Sequence, residues 1–167
     1  TDVFAYCDAP RTPSQAAEVE AVVRVLEAAC GFRSLSVVRR ETNFGLARNI
    51  VSGVTETVNK YGRIVVLEDD LVVSRSFLGW MNEGLRRYED VVRVASIHGY
   101  VYPVRGVLPG SFFLRGADCW GWATWKRAWD AFEPDGTILE ARLLDRKLAH
   151  RFDWNGAFGY MDMLRGQ

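Results

Sequence analysis

The run Ile64-Val65-Val66-Leu67 constrains this chain more than any other segment. It is uninterrupted and mostly β-branched, so it has no polar face to give to water. Such a run is expected of a strand covered on both sides. Short apolar runs alternate with helical periodicity along the rest of the chain. That alternation predicts an α/β layer fold with a mainly parallel sheet.

Val3-Phe4-Ala5-Tyr6-Cys7 reads as a buried strand ending at Asp8. A helix is predicted to open at Thr12-Pro13-Ser14-Gln15, with Thr12 as N-cap, Pro13 at N1 and Gln15 at N3. Val19, Val22, Val23, Leu26 and Cys30 then share one helical face, and Gly31 is a suitable stop. Leu35 to Val38 reads as a second strand, and Glu41 to Gly45 as a loop. Leu46, Ile50, Val54 and Val58 give the next helix its apolar stripe, with Gly62 just past its end.

After the central strand, Ser74 caps a helix expected to pack through Phe77, Met81, Leu85 and Tyr88. Val94 to Ile97 and Phe112 to Leu114 read as further strands. A stretch dense in glycine and tryptophan follows from Gly116. Within it Trp125, Ala128, Trp129 and Phe132 fall at helical spacing and predict a core-facing helix. Ile138 to His150 reads as helical, and the remainder is placed only loosely.

Composition narrows the function classes. The 21 lysines and arginines equal the 21 aspartates and glutamates, giving a net charge of zero. A general nucleic-acid binder would carry a basic excess, so no nucleic-acid partner is expected. The apolar runs fall far short of the ~20 residues that span a bilayer, and no signal peptide is evident. Cys7, Cys30 and Cys119 are widely spaced without a C-x-x-C pair. That fits a reducing compartment and three small buried thiols. A cytoplasmic location, at most peripheral to the inner membrane, follows as an expectation. With only His98 and His150, a histidine-rich zinc site is improbable.

Three carboxylates, Glu68-Asp69-Asp70, follow directly on the central strand. Ligand sites of open α/β sheets lie at the carboxyl ends of strands. Adjacent like charges repel unless a cation offsets them, and hard oxygen ligands suit Mg²⁺ or Mn²⁺. Strand alternation would put Glu68 and Asp70 on one side and Asp69 on the other. The plainer reading is a solvated acidic turn. The buried strand before the triplet and Leu71-Val72-Val73 after it weigh against that.

The segments Glu41-Thr42-Asn43-Phe44-Gly45-Leu46-Ala47-Arg48-Asn49-Ile50 and Val65 to Val73 resemble inverting GT-A glycosyltransferases. The resemblance is to bacterial family 2 sugar transferases and, more distantly, to N-acetylglucosaminyltransferase I. Those enzymes carry a Glu-Asp-Asp form of the D-x-D motif after a hydrophobic strand. Cys119-Trp120-Gly121-Trp122-Ala123-Thr124-Trp125-Lys126-Arg127-Ala128-Trp129 also resembles an aromatic-glycine segment of the bacterial group.

The resemblance implies a GT-A, Rossmann-like nucleotide-diphospho-sugar transferase fold. The whole of 1–167 would be a single such domain, a fragment without the first strand and the C-terminal part. It implies transfer of a sugar from a nucleotide-diphosphate donor, UDP-sugar favoured, to a carbohydrate or glycan acceptor hydroxyl, with Mn²⁺ or Mg²⁺. Asp70 would be the metal ligand, and Glu68 and Asp69 would lie near the ribose and donor sugar. Asp8 matches an acidic residue that contacts the base, and Asn43, Arg48 and Asn49 match positions near the nucleotide. Read without the resemblance, Arg48 is an exposed helical charge and Asn43 a turn residue.

Trp120 and Trp122, with Asp118 a weaker candidate, could form an acceptor or sugar pocket, since a flat ring suits a pyranose face. An inverting enzyme also needs a carboxylate base near the acceptor hydroxyl. In the resembled families that base lies C-terminal to the aromatic segment, beyond Gln167 in this chain. Asp153 and Asp162 stand in the right half but read as surface or helix-cap residues.

A sugar nucleotidyltransferase is the rival enzyme, although its glycine-rich N-terminal loop is absent. A dinucleotide oxidoreductase would need G-x-G-x-x-G after a strand, which is also absent. The remaining rival is a degenerate carbohydrate-binding or scaffold domain.

Overall fold

A computed structural model of the chain describes residues 1–166. The chain divides into two compact units, Thr1–Tyr61 and the part from Gly62 onward.

The first unit is a strand-helix-strand-helix arrangement. Strand β1 (Asp2–Cys7) and strand β2 (Ser34–Arg39) pair in parallel, from Asp2 opposite Ser34 to Cys7 opposite Arg39. Helix α1 (Ala16–Ala28) is the crossover between them. It is preceded by one 3-10 turn, Pro13–Gln15, which Thr12 heads without a side-chain capping bond, so Gln15 and not Thr12 stands in the N-cap position of α1. The Gln15 side chain accepts the N–H of Arg11. Helix α2 (Leu46–Tyr61) closes the unit and buries Val54 and Val58, two members of its predicted stripe. Leu46, at the start of that stripe, is exposed. On α1 only Val23 is buried, and Val22 faces solvent.

The second unit holds a three-stranded sheet in the order β3-β5-β4, with β3 at Arg63–Val66, β4 at Ser96–His98 and β5 at Trp122–Trp125. Both outer strands are antiparallel to β5. They therefore run in the same direction as each other, as a strand-helix-strand crossover requires. Helix α3 (Phe77–Arg87) is that crossover. Its Phe77, Met81 and Leu85 join Val94, Ile97, Ala123 and Trp125 in one core cluster, with Tyr88 and Val65 packed against it. Four short helices follow: α4 (Lys126–Trp129), α5 (Gly136–Asp145), α6 (Ala149–Phe152) and α7 (Tyr160–Arg165).

Several expectations are corrected. The chain is mixed α and β, but its sheets are one small parallel pair and one antiparallel triplet, not a mainly parallel sheet. Parallel direction between β3 and β4 is present, yet β5 lies between them and reverses the pairing. Trp125 belongs to β5 and not to a helix, and Phe132 is exposed. Phe112 to Leu114 form no strand, and their side chains are exposed. Cys30 and Cys119 are exposed and Cys7 is half-buried, so the thiols are not core residues. Among the described residues no helix is long and apolar enough to cross a membrane.

Candidate functional site

In the first unit the motif residues form a hydrogen-bonded latch between the end of β1 and the start of α2. Asp8 Oδ1 accepts the N–H groups of Ala9 (2.9 Å) and Phe44 (2.7 Å), and Oδ2 accepts that of Gly45 (2.8 Å). Asn43 Nδ2 donates to the carbonyl of Ala9 at 2.6 Å, and Asn49 Nδ2 to that of Tyr6 at 3.1 Å. Gly45 has φ +72°, a left-handed conformation that suits glycine, and its carbonyl accepts the N–H of Asn49 to start the helix. The structure thus brings Asp8, Asn43 and Asn49 together. Arg48 lies on the Phe44 ring, its guanidinium carbon 3.9 Å from the centroid.

Arg40 is a member of this cluster that sequence reasoning passed over. Its guanidinium donates to Asn49 Oδ1 (3.0 Å), Ser52 Oγ (2.7 Å) and Glu56 (3.0 Å). It also sits 4.9 Å from the ring centroids of both Tyr6 and Phe44. Its signal was its position one residue past a parallel strand, where ligand sites gather. A hollow of about 240 Å³ opens at the carboxyl ends of β1 and β2, with Cys7, Asp8, Glu20, Val23, Arg39 and Arg40 among its walls. Of the four first-unit candidates, only Asp8 lines it.

In the second unit the strand stops at Val66 and the acidic triplet enters a turn, with the N–H of Leu71 bonded to the carbonyl of Glu68 at 3.3 Å. Strand alternation therefore does not govern the three carboxylates. Glu68 is half-buried at the head of the turn, while Asp69 and Asp70 are exposed at its tip. Among the described residues no three His, Cys, Asp or Glu side chains form a metal-holding group. The donor chemistry is hard oxygen at an open turn. It fits a cation held by one or two carboxylates together with ligand phosphates, a common arrangement for Mg²⁺.

The aromatic segment enters β5. Trp122 is half-buried and stacks near Trp129, with ring centroids 6.0 Å apart, which places it in packing. Trp120 is exposed and lies in an aromatic group with Tyr100 (4.7 Å) and Tyr102 (5.7 Å), neither of which sequence reasoning singled out. Asp118 Oδ1 accepts the N–H of Trp120 at 2.7 Å and so orients it. The N–H of Asp118 points to His98 Nδ1 at 3.4 Å, and His98 Nε2 is 2.7 Å from Ser96 Oγ. Burial holds the His98 imidazole below its ordinary pKa, and Asp118 pulls weakly the other way.

Burial pushes the Cys119 thiol up, and the charges of Glu68, Asp118 and Asp70 add to that shift. Val66 pairs with Trp122, and a Cβ built on Gly121 would lie 3.5 Å from the Leu67 side chain, so the aromatic segment runs beside the residue that leads into the acidic turn. The later acids have structural tasks. Asp153 Oδ1 accepts the N–H of Met161 at 2.8 Å near the start of α7, and exposed Asp162 pairs with Arg165.

Compared with known proteins, the chain matches no family model, no curated sequence and no solved structure.

Proposed function

We propose that this chain binds a nucleotide-diphosphate sugar, UDP-sugar by preference, as part of an inverting, metal-dependent glycosyltransferase of the GT-A type. The observation that supports this most directly is the acidic turn at the end of the half-buried strand β3, which pairs with the strand that follows the exposed aromatic segment. Hard oxygens at a strand end suit a cation shared with a diphosphate, and flat rings suit a sugar.

In this reading Asp70 is the metal ligand, and Glu68 and Asp69 face the ribose and donor sugar. The bound Mn²⁺ or Mg²⁺ would supply Lewis-acid stabilisation of the charge that develops on the departing diphosphate. The Leu71-to-Glu68 backbone bond turns the chain at the end of β3 and sets the three carboxylates on one turn. Asp8, Asn43, Arg48 and Asn49 are assigned to the nucleotide by resemblance, and in this chain they also shape the loop that leads into α2. The acceptor hydroxyl loses its proton to a carboxylate other than Asp153 and Asp162, which cap and pair within their own segment.

Calorimetric titration of UDP with and without Mn²⁺, on the wild type and Asp70→Ala, tests the reading. Binding should require Mn²⁺ and weaken about tenfold or more in Asp70→Ala, as expected when metal affinity is lost. Undetectable binding, or binding indifferent to both metal and Asp70, overturns it.

A further inference from the structure

Two hollows of the molecule carry a pair of arginines, and they differ in charge balance. In the first unit Arg39 and Arg40 share their hollow with Asp8 and Glu20. Arg39 pairs with Glu20 and Glu27, and Arg40 pairs with Glu56. Each guanidinium there is already answered by a carboxylate of the chain. In the second unit an open hollow of about 270 Å³ is walled by Arg115, Leu143, Leu148, Arg151 and Phe152. No carboxylate lines it. Neither the Arg115 nor the Arg151 guanidinium has a hydrogen bond or an ion pair among the described residues.

Local folding brings these walls together. Leu143 lies on α5, and Leu148 heads α6, which carries Arg151 and Phe152. Lys147, between the two helices, has φ +56°, a left-handed conformation that reverses the chain. The N–H of Leu148 then bonds to the carbonyl of Leu143 at 2.8 Å, and that of Phe152 to the carbonyl of Leu148 at 2.8 Å. Leu148, Arg151 and Phe152 stand at i, i+3 and i+4, on one face of the α6 turn. Arg115 comes from a segment far earlier in the chain. Its neighbour Gly116 has φ +110°, and a Cβ placed there would come within 2.8 Å of the Trp154 ring, two residues past Phe152. That close approach docks the Arg115 segment against the end of α6.

The chemistry of the walls selects the occupant. Half-buried Leu143 and Leu148 and the exposed Phe152 ring leave an apolar floor in water. A bare inorganic anion would satisfy the guanidinium groups and leave that floor wet. A neutral apolar molecule would cover the floor but strip water from two cations without giving bonds in return. An oxyanion head on an aliphatic body answers both, since guanidinium donors match the oxygens of carboxylate or phosphate in paired bonds. Five wall residues are far fewer than the roughly 20–30 on one side of a stable protein interface, which favours a small ligand.

We infer that this hollow binds a small amphipathic acid. Its carboxylate or phosphate head lies between Arg115 and Arg151, and its aliphatic body lies on Leu143, Leu148 and Phe152. None of these five residues is assigned to donor, metal or acceptor, so the site stands or falls apart from the glycosyltransferase reading.

Calorimetric titration with octanoate and octyl phosphate, both below their micelle concentrations, tests it against acetate, inorganic phosphate and 1-octanol. Two-dimensional amide NMR of the same samples locates the binding. At least one amphipathic acid should bind about tenfold tighter or more than its bare head, since each buried methylene adds about fourfold. It should also bind tighter than octanol, and shift the amides of Arg115 and of 143–152. The preferred head distinguishes carboxylate from phosphate. Arg115→Gln and Arg151→Gln, checked for folding by circular dichroism, should each weaken binding by about fivefold or more. Arg24→Gln, on α1 of the first unit, should leave it unchanged. The inference is overturned by no binding, by a bare head or octanol that binds as tightly, or by binding that either wall-arginine variant leaves unchanged.

Discussion

The carboxylate of Asp8 accepts the backbone N–H of Gly45 at 2.8 Å, tying the end of β1 to the turn that starts α2. Two further amides, of Ala9 and Phe44, bond to the same side chain. The residue assigned to a nucleotide base by resemblance is therefore also a structural latch.

Asp8→Ala leaves three backbone N–H groups without their acceptor. The expected loss is about 2 kcal/mol of stability, in the range for a charge-assisted bond whose partners are left partly buried. Asp8→Asn, which keeps one acceptor oxygen, should lose less. Urea unfolding midpoints read the difference. Unchanged midpoints in both variants would show that the carboxylate serves only a ligand.

Arg127 donates to the carbonyls of Tyr88 (2.8 Å), Glu89 (2.7 Å) and Val94 (3.0 Å), and its guanidinium lies 4.3 Å from the centroid of the Trp125 ring. It thereby closes the C-terminal end of α3 against the segment that leads to β4. Lysine has the charge but not the planar fork, so it cannot reach three carbonyls at once. Arg127→Lys should lower stability by about 2 kcal/mol, seen as a shifted Tm in calorimetry. A Tm equal to wild type would reduce the clamp to a surface contact.

Gly121 has φ +78°, and a Cβ placed there would come within 2.9 Å of the Phe77 ring. Gly121→Ala combines a left-handed backbone with overpacking and should cost about 2 kcal/mol or more. Gly79→Ala, where the space is open, is the control and should be close to neutral or stabilising. Parallel denaturation curves separate the two, and equal behaviour would contradict the packing at Phe77.

His98 is kept neutral by burial, so its folded pKa lies below the unfolded value of about 6.5. The unfolded chain then binds more protons as pH falls below that value. The stability that His98 contributes is complete above the unfolded pKa and lost as pH falls through the window beneath it. His98→Gln should flatten that part of the stability-pH curve. A wild-type curve that is flat from pH 7 to 5 would show that His98 does not govern it.

Helices α1, α2 and α3 were legible because helical hydrogen bonds are local and their apolar residues recur at helical spacing. Val54 and Val58 on α2, and Phe77, Met81 and Leu85 on α3, are buried as that spacing requires. Strand β3 was legible from its β-branched run. Strand β5 was not, because Trp125 also fits a helical repeat with Ala128 and Trp129. Only pairing with β3 on one side and β4 on the other decides for the strand. At the candidate site the acidic triplet could be located from its strand, but its geometry could not. Alternation assumes an extended chain, and the bond from Leu71 to Glu68 bends it into a turn. Tyr100 and Tyr102 went unnoticed for a related reason, since nothing local announces that they meet Trp120 across a strand pair.

By itself, the sequence determined helices α1, α2 and α3 and the place of the carboxylates directly after strand β3, since these depend on neighbours within a few residues. Tertiary structure alone decided the direction of pairing, the insertion of β5 between β3 and β4, and the meeting of Asp8 with Gly45 and of Tyr100 with Trp120. Those contacts join residues far apart along the chain. Their energy is realised only once the loops between them close and water is excluded, and no local pattern encodes that event.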